Sequence, residues 1–143
     1  MTINVIETAR SKGQKLLLGA VIFLAAMPPL IAVLRSLPIL PFGAASFGLA
    51  VLAVAACRRG GQVGRLSVTA ALMGEIMLVT AALTGHPWQL DSHMLYFAAL
   101  ARLVVLIDIP APLLGAGLVA VQHVGLTVLI PSLFIQPQIL CKI

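Results

Sequence analysis

The amino-acid sequence predicts an all-α fold, a polytopic transmembrane helix bundle with about five spanning helices. Of its 143 residues 61% are hydrophobic and 9% are charged, and the mean hydropathy is +1.12. A soluble domain has about 45–50% apolar and about 25% charged residues, so this chain has too few charges to cover a water-soluble fold. Its apolar residues fall into runs close to the roughly 20 that a helix needs to cross a bilayer. We therefore expect the lipid bilayer to be its main partner.

The first predicted span covers residues 16–34 and follows a cytoplasmic N-terminal tail, residues 1–15. This run is longer than the roughly 7–15 apolar residues of a signal peptide, so we expect an uncleaved helix. Pro28-Pro29 predicts a kink, because proline lacks the backbone donor that a helix needs. The second span covers residues 39–57 and ends at the basic, glycine-rich stretch CRRGGQVGR, which predicts a loop.

The remaining predicted spans cover residues 66–84, 92–107 and 110–130. Gly85 is a normal stop for the third span, and Pro110 suits the start of the fifth. Pro131 closes the bundle, which as a whole occupies residues 16–131. The C-terminal tail, residues 132–143, is apolar but too short to span.

The positions of lysine and arginine predict that the N-terminus is cytoplasmic, because cytoplasmic loops carry the excess of these residues. Two cations fall on the opposite side, Arg35 and Lys142, and six fall on the side of the N-terminus: Arg10, Lys12, Lys15, Arg58, Arg59 and Arg65. These cations are too few and too scattered to follow a phosphate backbone, so we expect no nucleic-acid partner.

No enzyme site emerges from the sequence. It contains no glycine-rich phosphate loop, no metal-hydrolase helix motif and no serine or cysteine nucleophile with a base nearby. Cys57 and Cys141 lie far apart without the spacing of metal ligands, so we interpret them as small apolar residues. We therefore predict that the chain is not an enzyme.

Two charges inside predicted spans form a candidate buried ion pair. Charged residues within a bilayer are usually paired or functional. Glu75 and Arg102 fall at nearly the same depth if the third and fourth spans are antiparallel neighbours, counting about 1.5 Å per residue from the turn between them. The alternative is that Arg102 extends to the inner interface and reaches Asp108.

Most of the polar chemistry lies in the stretch TGHPWQLDSHMLYFAAL, residues 84–100, at the predicted outer turn. Trp88 suits a membrane interface, and Asp91 or Ser92 can cap the fourth helix. His86 and His93 lie in the same outer half as His123 of the fifth span. Five residues of this outer half are candidates for sensing or binding a ligand: His86, Trp88, Asp91, His93 and His123.

The three histidines are also candidate metal ligands, since imidazoles bind transition metals and two on facing helices can hold a haem iron. Their spacing in the sequence matches no metal motif. A transition metal, a haem, a histidine cluster that responds to protons, and the absence of any cofactor therefore remain open alternatives for His86, His93 and His123.

One stretch resembles a known family. GHPWQLDSHMLYFAALA, residues 85–101, is similar to a motif in the membrane-embedded sensor region of bacterial methyl-accepting chemotaxis proteins. AVQHVGLTVLIPSLF, residues 120–134, resembles a later stretch of the same region. The resemblance covers about residues 10–134 and is faint before residue 66. The matched positions are Gly85, His86, Pro87, Trp88, Gln89, Asp91, His93, Met94, Phe97, His123 and Pro131.

The resemblance implies a sensor domain, or a truncated remnant of one, in the bacterial inner membrane. Family members have about six membrane helices followed by a cytoplasmic signalling domain that controls a kinase. This sequence departs from the family at Glu75, Gln122, Thr127 and the DIP corner at residues 108–110, and it lacks the last helix and the signalling domain. We therefore expect no contact with the chemotaxis kinase, while homodimerisation remains open.

Other functions fit the same composition. The alternative to a sensor is a small integral membrane protein that binds metal or haem, or a subunit of a transporter or redox complex. A membrane protein with a purely structural role is a third alternative.

Overall fold

The computed structural model describes residues 2–129, and within this range the fold is all-helical, which confirms the all-α part of the prediction. The predictions for Ile130, Pro131, the tail 132–143, Cys141 and Lys142 lie outside the described residues. The described helices, in chain order, are α1 (Thr2–Ala25), α2 (Met27–Leu34), α3 (Ile39–Arg59), α4 (Gly61–Ala82), α5 (Gln89–Leu103), a 3-10 turn (Val104–Leu106) and α6 (Pro110–Leu129).

Three helical segments of the described chain are long and apolar enough to cross a membrane: Val5–Leu34, Ile39–Arg59 and Gly61–Ala82. They correspond to the first three predicted spans and mark the chain as a membrane protein. Helix α5 has 15 residues. It is therefore about 22 Å long, which is shorter than the roughly 30 Å of hydrocarbon in a bilayer. The count of five spans remains a prediction.

The first span is longer than predicted. Helix α1 begins at Thr2, so the predicted tail is helical from that residue onwards, and Gly13 and Gln14 are buried within the bundle. The predicted kink is present, since α1 ends at Ala25 and α2 begins at Met27 with Pro28-Pro29 in its first turn. Proline is tolerated there because the first N–H groups of a helix have no acceptor within it.

The predicted turn within CRRGGQVGR is present, but it is much shorter than that stretch, because a single residue, Gly60, separates α3 from α4. Gly60 and Gly61 have φ angles of 65° and 64°, a left-handed conformation that glycine adopts without steric cost. The two helices are also close just beyond the turn. A β-carbon added at Gly64 would lie 2.6 Å from the carbonyl oxygen of Ala56. Arg65 therefore belongs to a helix and not to a loop.

Helix α4 lies at the centre of the bundle and packs against α1, α2, α3, α5 and α6. Leu72, Met73 and Ile76 are buried and form a core with residues of α1 and α5, such as Val21 and Leu103. A helix that is apolar on all sides is expected in the interior of a bundle. This position explains why polar side chains of α4 must find partners on neighbouring helices.

Four charged side chains meet at one end of the bundle, where α1 and α4 approach the corner between α5 and α6. We call Glu7, Arg10, Arg65 and Asp108 the ionic cluster. Arg65 Nε donates to Asp108 Oδ2 at 2.6 Å, and both side chains are buried. Arg10 donates to Glu7 at 2.8 Å. Arg10 also donates through Nε and Nη2 to the carbonyl of Ile107, at 3.2 Å and 2.9 Å.

Arg35 lies at the opposite end of the bundle. Its Nη1 donates to the carbonyl oxygens of Ala82 at 2.7 Å and of Thr84 at 3.0 Å. These carbonyls end α4, where the helix dipole favours a cation and the last C=O groups lack partners within the helix. We call this the turn end, because the turn between α4 and α5 lies here, and we call the end with the ionic cluster the basic end.

Candidate functional site

The turn between α4 and α5 is held by local hydrogen bonds. Gly85 has a φ angle of 76°, and its N–H donates to Gln89 Oε1 at 2.9 Å. His86 Nδ1 accepts from the N–H of Trp88 at 3.2 Å, and their ring centroids are 5.2 Å apart. The contacts that the structure describes for the His86 ring are therefore within the turn, and the indole of Trp88 is exposed.

The prediction that Asp91 or Ser92 caps α5 is wrong, because the helix begins at Gln89 and both residues lie inside its first turn. Ser92 Oγ donates to the Gln89 carbonyl at 2.7 Å. Asp91 is exposed and makes no hydrogen bond or ion pair to the described part of the chain. Its carboxylate still lies near the positive end of the α5 dipole, which is favourable.

Aromatic and polar side chains of α5 and α6 converge in the half of the bundle nearer the turn end. We call His93, Tyr96, Gln122 and His123 the imidazole cluster. The ring centroids are 5.4 Å apart for His93 and His123, 5.9 Å for Tyr96 and His123, and 6.0 Å for His93 and Tyr96. The Tyr96 hydroxyl donates to Gln122 Oε1 at 2.6 Å. The cluster thus joins α5 to α6 through polar contacts as well as through packing.

Backbone hydrogen bonds orient both imidazoles of the cluster. His93 Nδ1 lies 2.8 Å from the carbonyl oxygen of Gln89, and His123 Nδ1 lies 2.9 Å from that of Val119. A carbonyl only accepts, so the hydrogen bond places the proton on Nδ1 and leaves Nε2 as the proton-free nitrogen of a neutral ring. Histidines that bind metals are oriented by the same kind of Nδ1–H contact.

A groove of ≈ 280 Å³ lies beside the imidazole cluster between α5 and α6. Its wall is apolar apart from the two imidazoles and the phenol. This arrangement can receive a proton, a metal ion, or the polar group of a small apolar molecule. The residues that line it are His93, Tyr96, Phe97, Leu100, Ala116, Val119, Ala120 and His123.

The predicted site of three histidines is wrong, because only His93 and His123 come together. His86 packs on Trp88 in the turn instead. Residues 2–129 contain no group of three or more His, Cys, Asp or Glu side chains that could hold a metal ion. Counting residues along the helices predicts similar depths for the three histidines, but depth does not specify the direction of a side chain around its helix. Two imidazoles remain as candidate ligands.

The predicted Glu75–Arg102 ion pair is also wrong. Glu75 is fully buried and accepts a hydrogen bond from Ser46 Oγ of α3 at 2.8 Å. Arg102 is exposed on the side of α5 that faces α1, where it lines a groove with Leu16. The two residues point to different neighbours. The alternative partner, Asp108, is bonded to Arg65.

Two partners of these polar groups were missed from the sequence, Gln122 and Ser46. Ser46 is a single polar residue within an apolar stretch of α3, and Gln122 directly precedes His123 in α6. These positions are the signals that could have identified the two partners. Glu75 Oε1 and Gln14 Nε2 are buried atoms with no hydrogen-bond partner among the described residues.

Comparison of the chain with protein-family models, curated proteins and solved structures gives no match.

Proposed function

We propose that the chain is a membrane sensor domain of a bacterial chemotaxis transducer, or a remnant of one, and that its stimulus acts on the imidazole cluster. The observation that carries this proposal is the 5.4 Å separation of the His93 and His123 rings, which belong to different helices. A stimulus that changes the charge or ligation of either ring acts directly on the contact between α5 and α6. The resemblance of residues 85–101 to chemotaxis proteins supports the same function. The proposal includes no catalytic step.

The distance between the rings makes the contact sensitive to charge. Two unit charges 5.4 Å apart repel by about 3 kcal/mol at an effective dielectric constant of about 20. Such an energy changes the ratio of two conformations by about 100-fold. Protonation of His93 and His123 would therefore favour separation of α5 from α6, and a metal ion bound to both would hold them together.

The proposal includes a topology of five spans with a cytoplasmic N-terminus in the inner membrane. It is supported by the distribution of cations, since Arg10 and Arg65 meet at the basic end and Arg35 lies at the turn end. Helix α5 and the 3-10 turn together run from Gln89 to Leu106. Eighteen residues at about 1.5 Å each reach about 27 Å, which is close to the thickness of the hydrocarbon core.

The sensing part of the proposal is tested by measuring the distance between α5 and α6. Spin labels at Met94→Cys and Val124→Cys, with Cys57 and Cys141 replaced by serine, report on two exposed positions next to the imidazoles. In lipid nanodiscs, we expect the distance between the labels to increase when acidification protonates both imidazoles, because like charges then face each other.

The matched controls are histidine variants of the labelled chain. The double variant His93→Gln, His123→Gln should lose the pH response, whereas His86→Gln should keep it. A labelled parent that changes neither with pH nor with added Zn²⁺ would rule out sensing at the cluster, and so would a response that depends on His86. The transducer assignment is tested separately, since it requires a coiled-coil signalling domain encoded downstream, in this or another reading frame.

A second candidate function is binding of a transition-metal ion by His93 and His123. At a metal–nitrogen distance of about 2.0–2.1 Å, two imidazoles on one tetrahedral ion have ring centroids about 5 Å apart, whereas two on opposite faces of a haem have centroids about 6.5 Å apart. The observed 5.4 Å is closer to the first value. The geometry therefore favours an ion over a haem, and Tyr96 and Gln122 of the same cluster are candidates for further oxygen ligands.

Metal content tests this second function. Chain purified in detergent from metal- and haem-replete cells should retain a transition-metal ion without a haem absorption band. His93→Ala and His123→Ala should each lose most of the metal, because two ligands cannot be reduced to one without loss of affinity, and His86→Ala should retain it. A metal-free parent would exclude this function and leave the pH response as the remaining test of the cluster.

A further inference from the structure

A hollow of ≈ 360 Å³ lies between α1 and α5, on a different side of α5 from the imidazole cluster. A second hollow, of ≈ 290 Å³, shares Leu16 and Arg102 with it, so the two adjoin. Apart from Arg102, the side chains that line the first hollow are all apolar, among them Leu16, Leu24 and Ala98. The second lies nearer the basic end, beside Gly13 and Val105. Together they form one groove, which we call the α1–α5 groove.

Arg102 differs from the other arginines that lie within the bundle. Arg10, Arg35 and Arg65 each donate to a carboxylate or to a backbone carbonyl. Arg102 is exposed and makes no hydrogen bond or ion pair with any part of the chain that the structure describes. A guanidinium beside an apolar groove in a membrane is unfavourable unless an anion or water satisfies it. An anionic group at the point where the two hollows meet would therefore stabilise Arg102.

The dimensions of the groove match one leaflet of a bilayer. The first hollow extends along α1 from Leu16 to Leu24. Eight residues at about 1.5 Å each give about 12 Å, compared with about 15 Å for half of the hydrocarbon core. Lys12 lies one turn nearer the basic end than Leu16, Lys15 directly precedes Leu16, and both lysines are exposed. Along the groove, cationic residues are thus followed by apolar ones. This order matches an anionic lipid, in which the phosphate is followed by the acyl chain.

We propose that the α1–α5 groove binds an anionic phospholipid, with one acyl chain in the apolar hollow and the phosphate at Arg102. A guanidinium can donate two parallel hydrogen bonds to a phosphate, so Arg102 supplies the specific contact and the lysines supply long-range attraction. The apolar hollow supplies the affinity that a free phosphate ion would lack. This site is independent of the function proposed for the imidazole cluster.

Native mass spectrometry of the full chain with phosphatidylglycerol and phosphatidylcholine of identical acyl chains tests the proposal. We expect the chain to prefer phosphatidylglycerol, and Arg102→Gln to reduce that affinity about five- to tenfold. The loss for phosphatidylcholine should be smaller, because the choline cation offsets the charge of its phosphate. Arg58→Gln is the matched control, since Arg58 is an exposed cation at the same end and its change removes the same charge. We expect it to alter the affinity less than about twofold.

Two further variants and a competition experiment distinguish a lipid from a free anion or a second copy of the chain as the occupant of the groove. Arg102→Lys keeps the charge but not the two parallel hydrogen bonds, so it should keep only part of the preference. Ala98→Phe fills the hollow and should weaken the binding of both lipids. Excess inorganic phosphate should not displace the lipid. Equal binding of the two lipids by the parent would overturn the proposal, as would equal losses in Arg102→Gln and Arg58→Gln. Displacement by phosphate, or a dimer whose formation excludes lipid, would assign the groove to a free anion or to a second copy of the chain instead.

Discussion

Replacing Asp108 with alanine is expected to lower the free energy of unfolding by about 3–5 kcal/mol, because it leaves a buried guanidinium without its counter-ion. Arg65 is held by Asp108 at 2.6 Å, and both side chains are less than a tenth exposed. The other acid nearby, Glu7, is 3.9 Å from Arg65 and about half exposed, so it cannot replace the lost contact. Reversible unfolding in detergent, followed by far-ultraviolet circular dichroism, measures the change.

Asp91→Ala provides the matched control, since Asp91 is the other acid at a helix start and is exposed. Its loss should cost at most about 1 kcal/mol, the value of a favourable charge near a helix N-terminus. Replacing Arg65 and Asp108 together with leucine should recover much of the stability, because a buried ion pair exchanged for apolar residues is often neutral. Equal losses in Asp108→Ala and Asp91→Ala would show that the pair does not stabilise the fold.

Gly64→Ala is expected to destabilise the bundle by about 1–3 kcal/mol, because overpacking must move a backbone. The added β-carbon would lie 2.6 Å from the Ala56 carbonyl oxygen and 3.0 Å from Gln14 Nε2. The first of these atoms belongs to α3, which is tied to α4 through Gly60 and cannot withdraw independently. The same unfolding assay measures the loss.

Alanine substitutions at two other glycines provide a comparison for the stability change expected at Gly64. Gly48→Ala has no atom within 4 Å of the added carbon. It should stabilise α3 by up to about 1 kcal/mol, because alanine is the better helix former. At Gly115 the nearest atoms are the flexible ends of Leu103 and Leu100 side chains, at 2.7 Å and 3.1 Å, so the loss should be intermediate. A Gly64→Ala variant as stable as Gly48→Ala would mean that α3 and α4 are not in close contact there.

The sequence predicted the helices better than their ends. Apolar runs and the Pro28-Pro29 pair located the first three membrane-crossing segments and the kink, because both depend on the local chain. The early starts of α1 at Thr2 and of α4 at Gly61 do not follow from the sequence, since charged residues at the edge of a span occur in loops as well as in helices. Arg65 is the clearest example, because a buried acid from another part of the chain allows it to lie in a helix.

The candidate site was predicted in part. Depth along a helix follows from residue number, so His93 and His123 were correctly placed in the same half of the bundle. The direction of a side chain around the helix depends on how helices pack, which one sequence does not specify for a chain that is apolar on most sides. That is why His86 and Arg102 were assigned partners that they do not contact, and why Gln122 and Ser46 were missed.

The bonds from Arg10 to the carbonyl of Ile107 have a consequence for the order of synthesis. The two residues are 97 positions apart in the chain. At about 5–20 residues per second, the ribosome makes the acceptor about 5–20 s after the donor. During that interval Arg10, near the start of α1, must remain at the membrane surface with its guanidinium in water. The ionic cluster can therefore close only after α2, α3, α4 and α5 have been made, and its closure marks the late stage of assembly.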